Sequence, residues 1–149
     1  MMLVTRRYAF SASHRLHSPL LTEEANRELF GKCNNAFGHG HNYELEITVR
    51  GRVDATTGLA VDRDRLDRLV RRAVLDQVDH KDLNRDVPAF AGQYIPTTEN
   101  LNLEIFRMLE QNWRSEFTGE FPALEKVRIG ETARNIFKVH AHGKAEIQR

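Results

Sequence analysis

Two histidines that lie two positions apart, His39 and His41, introduce an alternating apolar and polar segment. The segment continues to Arg50 with the period-two pattern of a half-buried β-strand, so both imidazoles lie on one face of it. Positions i and i+2 of a strand are about 6.5 Å apart, which lets two imidazoles converge on one metal ion. A lone His-x-His pair is weak evidence, and a metal site therefore needs a third ligand.

The third candidate ligand is His14, at the end of a first alternating segment that begins at Val4. If this strand pairs antiparallel with the strand over residues 38–51, His14 lies across from the histidine pair on the same face. Three neutral imidazoles with an open fourth position describe a catalytic zinc site. An isolated histidine is more often a satisfied core residue, so the metal prediction depends on the strand pairing.

A second i, i+2 pair, His140 and His142, competes for the metal. It shares a strand face with Lys138, while the opposite face carries the apolar residues of that segment. This is the wetter side of the predicted strand. We therefore expect the pair to be solvated rather than to bind metal.

Three residues could move protons. Cys33 lies in a polar loop next to Lys32, which would favour the thiolate, although most free cysteines are inert buried thiols. His80 has a side chain whose ordinary pKa suits proton transfer near neutrality, and Asp79 beside it could orient the ring. The alternative for the Asp79-His80 pair is favourable charge at the end of a helix.

Polar residues farther along the chain could bind a ligand. Glu131 stands at the end of a predicted strand, where a carboxylate can hold a heterocycle that presents paired N–H donors. Thr97 and Thr98 mark a helix start, and backbone amides at such a start can also face a ligand.

Length and composition restrict the class of protein. The 149 residues predict one domain, 1–149, and 40% apolar residues supply its core. A net charge of +1 gives no reason to expect a nucleic-acid partner, and no apolar run reaches the length of a membrane span. The single cysteine excludes an internal disulfide and fits a cytoplasmic location.

The remaining elements predict an α+β fold with the order ββααββ. Thr22 can cap a short helix over 23–30 inside the first connection, and Asp62 can cap a longer helix that ends near Val78. A second long helix runs from about Thr98 to Trp113, and strands over 124–131 and 135–142 follow. We expect a four-stranded antiparallel sheet with both long helices on one face. Self-association would cover the other face.

Seven blocks of the sequence, in order, resemble the 6-pyruvoyltetrahydropterin synthase family. They are the segments 10–14, 29–35, 38–43, 79–84, 86–88, 97–100 and 131–132. The resemblance implies a T-fold in a homohexamer, built as a dimer of trimers. It also implies zinc bound by His14, His39 and His41. Cys33 would be the base, acting with Asp79 and His80, and Glu131 would anchor the pterin ring.

The family resemblance implies conversion of 7,8-dihydroneopterin triphosphate to 6-pyruvoyltetrahydropterin with loss of triphosphate. A related activity, 6-carboxytetrahydropterin synthesis on the path to queuosine, is the alternative. Five residues separate Cys33 from His39, and this spacing favours the pyruvoyl activity. A zinc- or pterin-binding module without catalysis is a third reading, but the candidate ligands, the thiol and His80 are all present.

Overall fold

A five-stranded mixed sheet forms the centre of this computed structural model, which describes residues 1–92 and 94–141. β1 (Met2–His14) and β2 (His39–Gly51) pair antiparallel along their full lengths. β3 (Lys81–Asp82) runs parallel to β1 on its other side. β4 (Ala123–Gly130) and β5 (Ile136–His140) extend the sheet antiparallel beyond β2, which gives the order β3-β1-β2-β4-β5.

The predicted α+β class is confirmed, but the prediction of four antiparallel strands in the order ββααββ was wrong. The four predicted strands are present, and β3 adds a fifth that is parallel to its neighbour. Two residues are too few to produce a hydrophobic period, so the sequence pattern could not reveal this strand. Short helices also interrupt the predicted order.

The helices begin where the capping residues predict. Side chains of Thr22, Asp62 and Thr97 each accept a hydrogen bond from the backbone three residues on, at the starts of three helices. These helices are α1 (Glu23–Phe30), α2 (Arg63–Val70) and α5 (Thr98–Trp113). The helical path of α2 continues through a π-helical turn, Arg71–Leu75, and α3 (Asp76–Val78), and α4 (Leu83–Asp86) follows β3.

The core lies between one face of the sheet and the two long helical segments. Leu45 and Ile47 of β2 face Leu66 of α2 and Leu109 of α5, and all four side chains are fully buried. Burial of one such side chain contributes about 1.5–3 kcal/mol, so this layer fixes the position of the helices on the sheet. No helix within residues 1–92 and 94–141 has the length and apolar character needed to cross a bilayer.

The other face of the sheet is polar. Glu46 lies between two arginines on neighbouring strands, 3.0 Å from Arg7 Nε and 3.4 Å from Arg128 Nη1. Thr5 and Thr48 share a hydrogen bond of 2.8 Å on this face. The outer edge of β1 pairs with β3 only at Ala12 and Ser13 in the part of the chain that the structure describes. Most of that edge therefore remains open.

Candidate functional site

Three histidine rings meet at one end of the β1–β2 pair. His14 and His39 are directly opposite each other in the register, and His41 follows on the same face. The ring centroid of His41 lies 4.9 Å from that of His14 and 4.8 Å from that of His39. The strand pairing predicted from the alternating patterns therefore brings the three imidazoles together.

The tightest set of ligand atoms includes the thiol. One donor atom each from His14, Cys33 and His41 lie within 4.8 Å of one another. His39 lies at the exposed rim, beside His41. Nitrogen and sulfur donors arranged in this way suit a soft or borderline metal ion such as zinc. The structure thus offers Cys33 as a third ligand where the sequence predicted His39.

His14 has the hydrogen bonding of a metal ligand. Its Nδ1–H donates to the backbone carbonyl of Pro96 at 2.8 Å, which leaves the lone pair on Nε2. Nε2 is buried and has no hydrogen-bond partner among the described residues. Burial lowers the pKa of His14, so the ring is neutral and available to a cation. An orphaned buried nitrogen of this kind fits a bound metal ion.

Cys33 reaches the histidines from a 3₁₀-helical turn, Gly31–Asn34, that follows α1. Its backbone carbonyl accepts a hydrogen bond from Leu16 N–H at 2.7 Å, and its Sγ lies 3.9 Å from His41 Nε2. Burial, and then the Glu131 carboxylate, raise the pKa of the thiol. Neither of these two causes involves Lys32, so the expectation that Lys32 would favour the thiolate is not supported.

Glu131 stands directly after β4 and points toward the same cluster. Its Oε1 accepts a hydrogen bond from the Thr98 hydroxyl at 2.8 Å and lies 3.6 Å from His41 Nε2. Thr98 is buried at the start of α5. Thr97 uses its hydroxyl to cap that helix through Asn100 N–H. The structure therefore brings Glu131 and Thr98 to the site, whereas the Thr97 side chain serves the helix.

Tyr43 is a neighbour of the site that the sequence reasoning did not single out. Its hydroxyl is buried and makes no hydrogen bond within the described residues. Thr98 is near enough to affect its ionisation, but the Thr98 hydroxyl hydrogen is committed to Glu131. Burial, and then Glu131, raise the pKa of Tyr43, so it remains neutral. Its position two residues after His41, on the same strand face, was the available signal.

Asp79 and His80 lie beside Ser11 of β1, at the edge of the sheet. Asp79 Oδ1 accepts from Ser11 N–H at 3.0 Å, and His80 N–H donates to Ser11 O at 2.7 Å. His80 has a φ of 58°, and its side chain is 82% exposed beside an open cleft of about 420 Å³. In the described part of the chain no hydrogen bond or ion pair joins either residue to Cys33. The structure does not bring them to the thiol of their own chain.

The second histidine pair lies at the end of the sheet. His140 is exposed on β5, opposite Lys126, and His142 is outside the described residues.

Pro96 also contributes to the site, by accepting the His14 hydrogen bond, and its residue type gave no sign of this role. It acts through its backbone carbonyl, which every residue type carries.

Comparisons with known proteins agree on one family. The family model described as 6-pyruvoyl tetrahydropterin synthase matches residues 3–142. The chain is 43% identical to human 6-pyruvoyl tetrahydrobiopterin synthase over 133 residues, which is 89% of this chain and 87% of the human protein. The guppy protein of the same name, from Poecilia reticulata, is also 43% identical over 133 residues, covering 89% of this chain and 86% of that protein.

A solved structure supports the same relationship. The Caenorhabditis elegans 6-pyruvoyl tetrahydropterin synthase superimposes with a TM-score of 0.82 at 40% identity, covering 94% of this chain and 95% of that one. The resemblance seen in the ordered sequence blocks is thereby confirmed. The chain belongs to the 6-pyruvoyl tetrahydropterin synthase family.

Proposed function

We propose that this chain is a zinc-dependent 6-pyruvoyltetrahydropterin synthase. It converts 7,8-dihydroneopterin triphosphate to 6-pyruvoyltetrahydropterin and releases triphosphate. The observation that carries the proposal is the meeting of a thiol, an orphaned histidine nitrogen and a carboxylate in one site, in Cys33, His14 and Glu131. The names of relatives at 43% identity over most of the chain support it.

His14, His39 and His41 would hold the metal, and the Cys33 thiol beside them would remain free to take up a proton. The buried unpartnered Nε2 of His14 supports this assignment, and so do the ring centroids of His14 and His39, which lie 4.9 and 4.8 Å from that of His41. When bound, zinc supplies a Lewis acid that polarises the hydroxyl and carbonyl oxygens of the substrate side chain. The positive charge would also offset the burial that disfavours the Cys33 thiolate.

Cys33 acts as the base that removes a proton from carbon in the substrate side chain. A thiolate at this position lies 3.9 Å from the His41 ring nitrogen Nε2 and within the electrostatic influence of the Glu131 carboxylate. Loss of the proton and departure of triphosphate are the two halves of an elimination, and the proton that the thiol takes up is available for return. This role is typical of general acid–base catalysis.

Glu131 holds the pterin ring. The carboxylate accepts the Thr98 hydrogen bond through one lone pair of Oε1, so Oε2 and the second lone pair of Oε1 remain for paired N–H donors on the heterocycle. Thr98 fixes the orientation of the acid, and the backbone at the start of α5 borders the same space. Thr97 would contribute through the backbone, because its hydroxyl caps the helix.

Asp79 and His80 would serve the site of another copy of the chain. His80 lines an open cleft beside β1, Asp79 accepts a hydrogen bond from Ser11 N–H, and neither is bonded to Cys33 of the same chain within the described residues. The open outer edge of β1 and the polar sheet face offer surfaces for such an assembly. We propose a homohexamer of T-fold subunits, a dimer of trimers, in the cytoplasm, where the single thiol stays reduced.

Incubation of the purified protein with 7,8-dihydroneopterin triphosphate, followed by mass spectrometry, tests the activity. The expected products are 6-pyruvoyltetrahydropterin and triphosphate. Formation of 6-carboxytetrahydropterin instead would assign the alternative synthase activity. Retention of unchanged substrate by a metal-loaded, folded protein would indicate a binding module and overturn the proposal. A Cys33→Ala protein is the matched control for background breakdown of the substrate.

A further inference from the structure

The segment that follows β1 leaves the sheet without strand partners. Pairing of β1 with β2 ends at His14 and His39, and pairing with β3 ends at Ser13 and Asp82. The backbone groups of Arg15 and Leu16 therefore need other partners, because unpaired peptide groups that are partly buried are costly. These two residues connect the metal-ligating end of β1 to the Cys33 turn.

Asn84 supplies both partners for Arg15. Arg15 N–H donates to Asn84 Oδ1 at 2.7 Å, and Asn84 Nδ2 donates to Arg15 O at 2.9 Å. A side-chain amide that bonds both groups of one residue reproduces the pairing that a neighbouring strand would provide. Asn84 therefore extends the two-residue contact of β3 along the chain by one more position.

Leu16 connects the residue that Asn84 holds to the turn that carries the Cys33 thiol. Leu16 N–H donates to Cys33 O at 2.7 Å, and Leu16 O accepts from Asn34 Nδ2 at 2.7 Å. All four backbone groups of Arg15 and Leu16 are thus paired, two with Asn84 and two with the Cys33–Asn34 dipeptide. Asn84 thus bonds Arg15, the residue next to Leu16, which donates the hydrogen bond to Cys33 O.

We infer that Asn84 is a positioning residue, which holds the chain after His14 and thereby fixes the Cys33 thiol beside the histidine cluster. Its side-chain amide bonds the backbone of Arg15, and it acts on the thiol through the backbone of residues 15 and 16. The segment 79–84 runs along one side of residues 11–15, from the Asp79 contact with Ser11 to this amide. The role in turnover rests on the activity proposed above, but the placement of the thiol does not.

The test compares Asn84→Ala with Asn112→Ala. Asn112 also donates from its side-chain amide to a backbone carbonyl, that of Met108 at 2.8 Å, but near the end of α5. The readout is the rate at which iodoacetamide alkylates Cys33, measured on metal-stripped protein. Cys33 is the single cysteine, so total thiol modification reports this site alone. Urea unfolding of both variants measures any general loss of stability.

Asn84→Ala should alkylate about tenfold faster than wild type, because loss of the clamp raises the population of the displaced loop. Asn112→Ala should alkylate at the wild-type rate. In turnover, kcat of Asn84→Ala should fall while KM stays within about twofold, since the Glu131 and Thr98 contact lies on other elements. Asn84→Asp, which keeps the acceptor oxygen but loses the N–H that bonds Arg15 O, serves in its place if the alanine variant does not fold, and it should also alkylate faster than wild type.

Equal alkylation rates for Asn84→Ala and wild type would overturn the inference. An increase that both variants share, in step with their loss of stability, would also overturn it, because it would reflect global unfolding. A wild-type protein that makes no pterin product would refute the proposed activity but leave the alkylation comparison valid. The two failures are therefore distinguishable.

Discussion

At the scale of single residues, the identity of the third metal ligand separates two arrangements. We expect His14→Ala to lower zinc affinity by more than about 100-fold, which exceeds the usual effect of losing a partner outside the ligand set. If His14, His39 and His41 hold the ion, His39→Ala should lose zinc to a similar extent while the fold remains intact. Metal analysis after dialysis against a chelator measures both.

Cys33→Ala tests the other arrangement, in which the thiol is the third metal ligand. Full zinc retention by His39→Ala, combined with loss of zinc from Cys33→Ala, would replace His39 by Cys33 in the ligand set. Loss of zinc only on changing His140 would move the site to the end of β5. His140→Ala is therefore the matched control, and we expect it to bind zinc normally.

Chemistry and recognition should separate between Cys33 and Glu131. We expect Cys33→Ala to keep pterin binding and to lose turnover by about 10²–10⁴-fold, the usual effect of one general acid–base group. Glu131→Ala should weaken pterin binding by about 1.5–3 kcal/mol, the range for a hydrogen bond to a charged group. Calorimetry with a product pterin and steady-state kinetics measure the two effects. Near-normal turnover by Cys33→Ala would mean that another group takes the proton.

Sequence could predict those site residues whose side chains sit in a regular pattern. The period-two alternation placed His14, His39 and His41 on one face, and the register of β1 and β2 confirms that face. The roles of Pro96 and Asn84 could not be predicted. Pro96 contributes a backbone carbonyl, and Asn84 meets Arg15 across 69 positions of sequence. Neither contact leaves a local pattern.

At the scale of elements, Asp67 joins α2 to β1. Its carboxylate accepts hydrogen bonds from Arg6 Nη2 at 2.6 Å and from the Tyr8 hydroxyl at 2.7 Å. The bond from Arg6 is the main cause that holds the pKa of Asp67 below its ordinary value of 3.8. A carboxylate with a depressed pKa stabilises the folded state above the unfolded-state pKa, and this contribution is lost as pH falls through the folded-state pKa.

Asp67→Asn should therefore be less stable than wild type at about pH 6, and the difference should shrink below about pH 4. Urea unfolding at several pH values measures it. Asp76→Asn, an exposed change farther along the same helical path, is the matched control for the loss of one carboxylate charge. A stability difference that stays constant down to about pH 2 would contradict the role of the ionised carboxylate.

The same scale shows why the element prediction was only partly right. The capping residues Thr22, Asp62 and Thr97 act on their own helix starts, so sequence predicts them well. The π-helical turn Arg71–Leu75 and the two-residue β3 depend on packing against distant residues. His80 is an example: its backbone N–H donates to Ser11 O at the edge of the sheet, and its φ is positive. No residue near it in the sequence predicts that backbone conformation.

At the scale of the whole molecule, the active site should require more than one chain. Sedimentation should give a homohexamer, and a fully active monomer would contradict the shared site. Coexpression of Cys33→Ala with His80→Ala should restore activity although each variant alone is inactive. Equal mixing should recover about one quarter of wild-type turnover, the fraction of sites that contain both intact halves in a closed symmetric assembly.

The control for this mixing experiment is Cys33→Ala with Glu131→Ala. These two residues lie in the same site of the same chain, because the Glu131 carboxylate is close enough to raise the pKa of the Cys33 thiol. Their mixture should recover no more than the activity of the better single variant. Recovery in both mixtures would mean that the restored activity does not report a site shared between chains.

The exposure of His80 at the edge of its own sheet, together with the proposed shared site, predicts a genetic consequence. In the shared site proposed above, a loss-of-function allele at position 80 should inactivate the site of a neighbouring subunit, whereas an allele at position 33 should inactivate the site of the subunit that carries it. A cell with one allele of each kind should assemble some intact sites and keep partial function. Two alleles that alter the same half should not complement each other, so the inheritance pattern of paired mutations would map which residues belong to which half of the site.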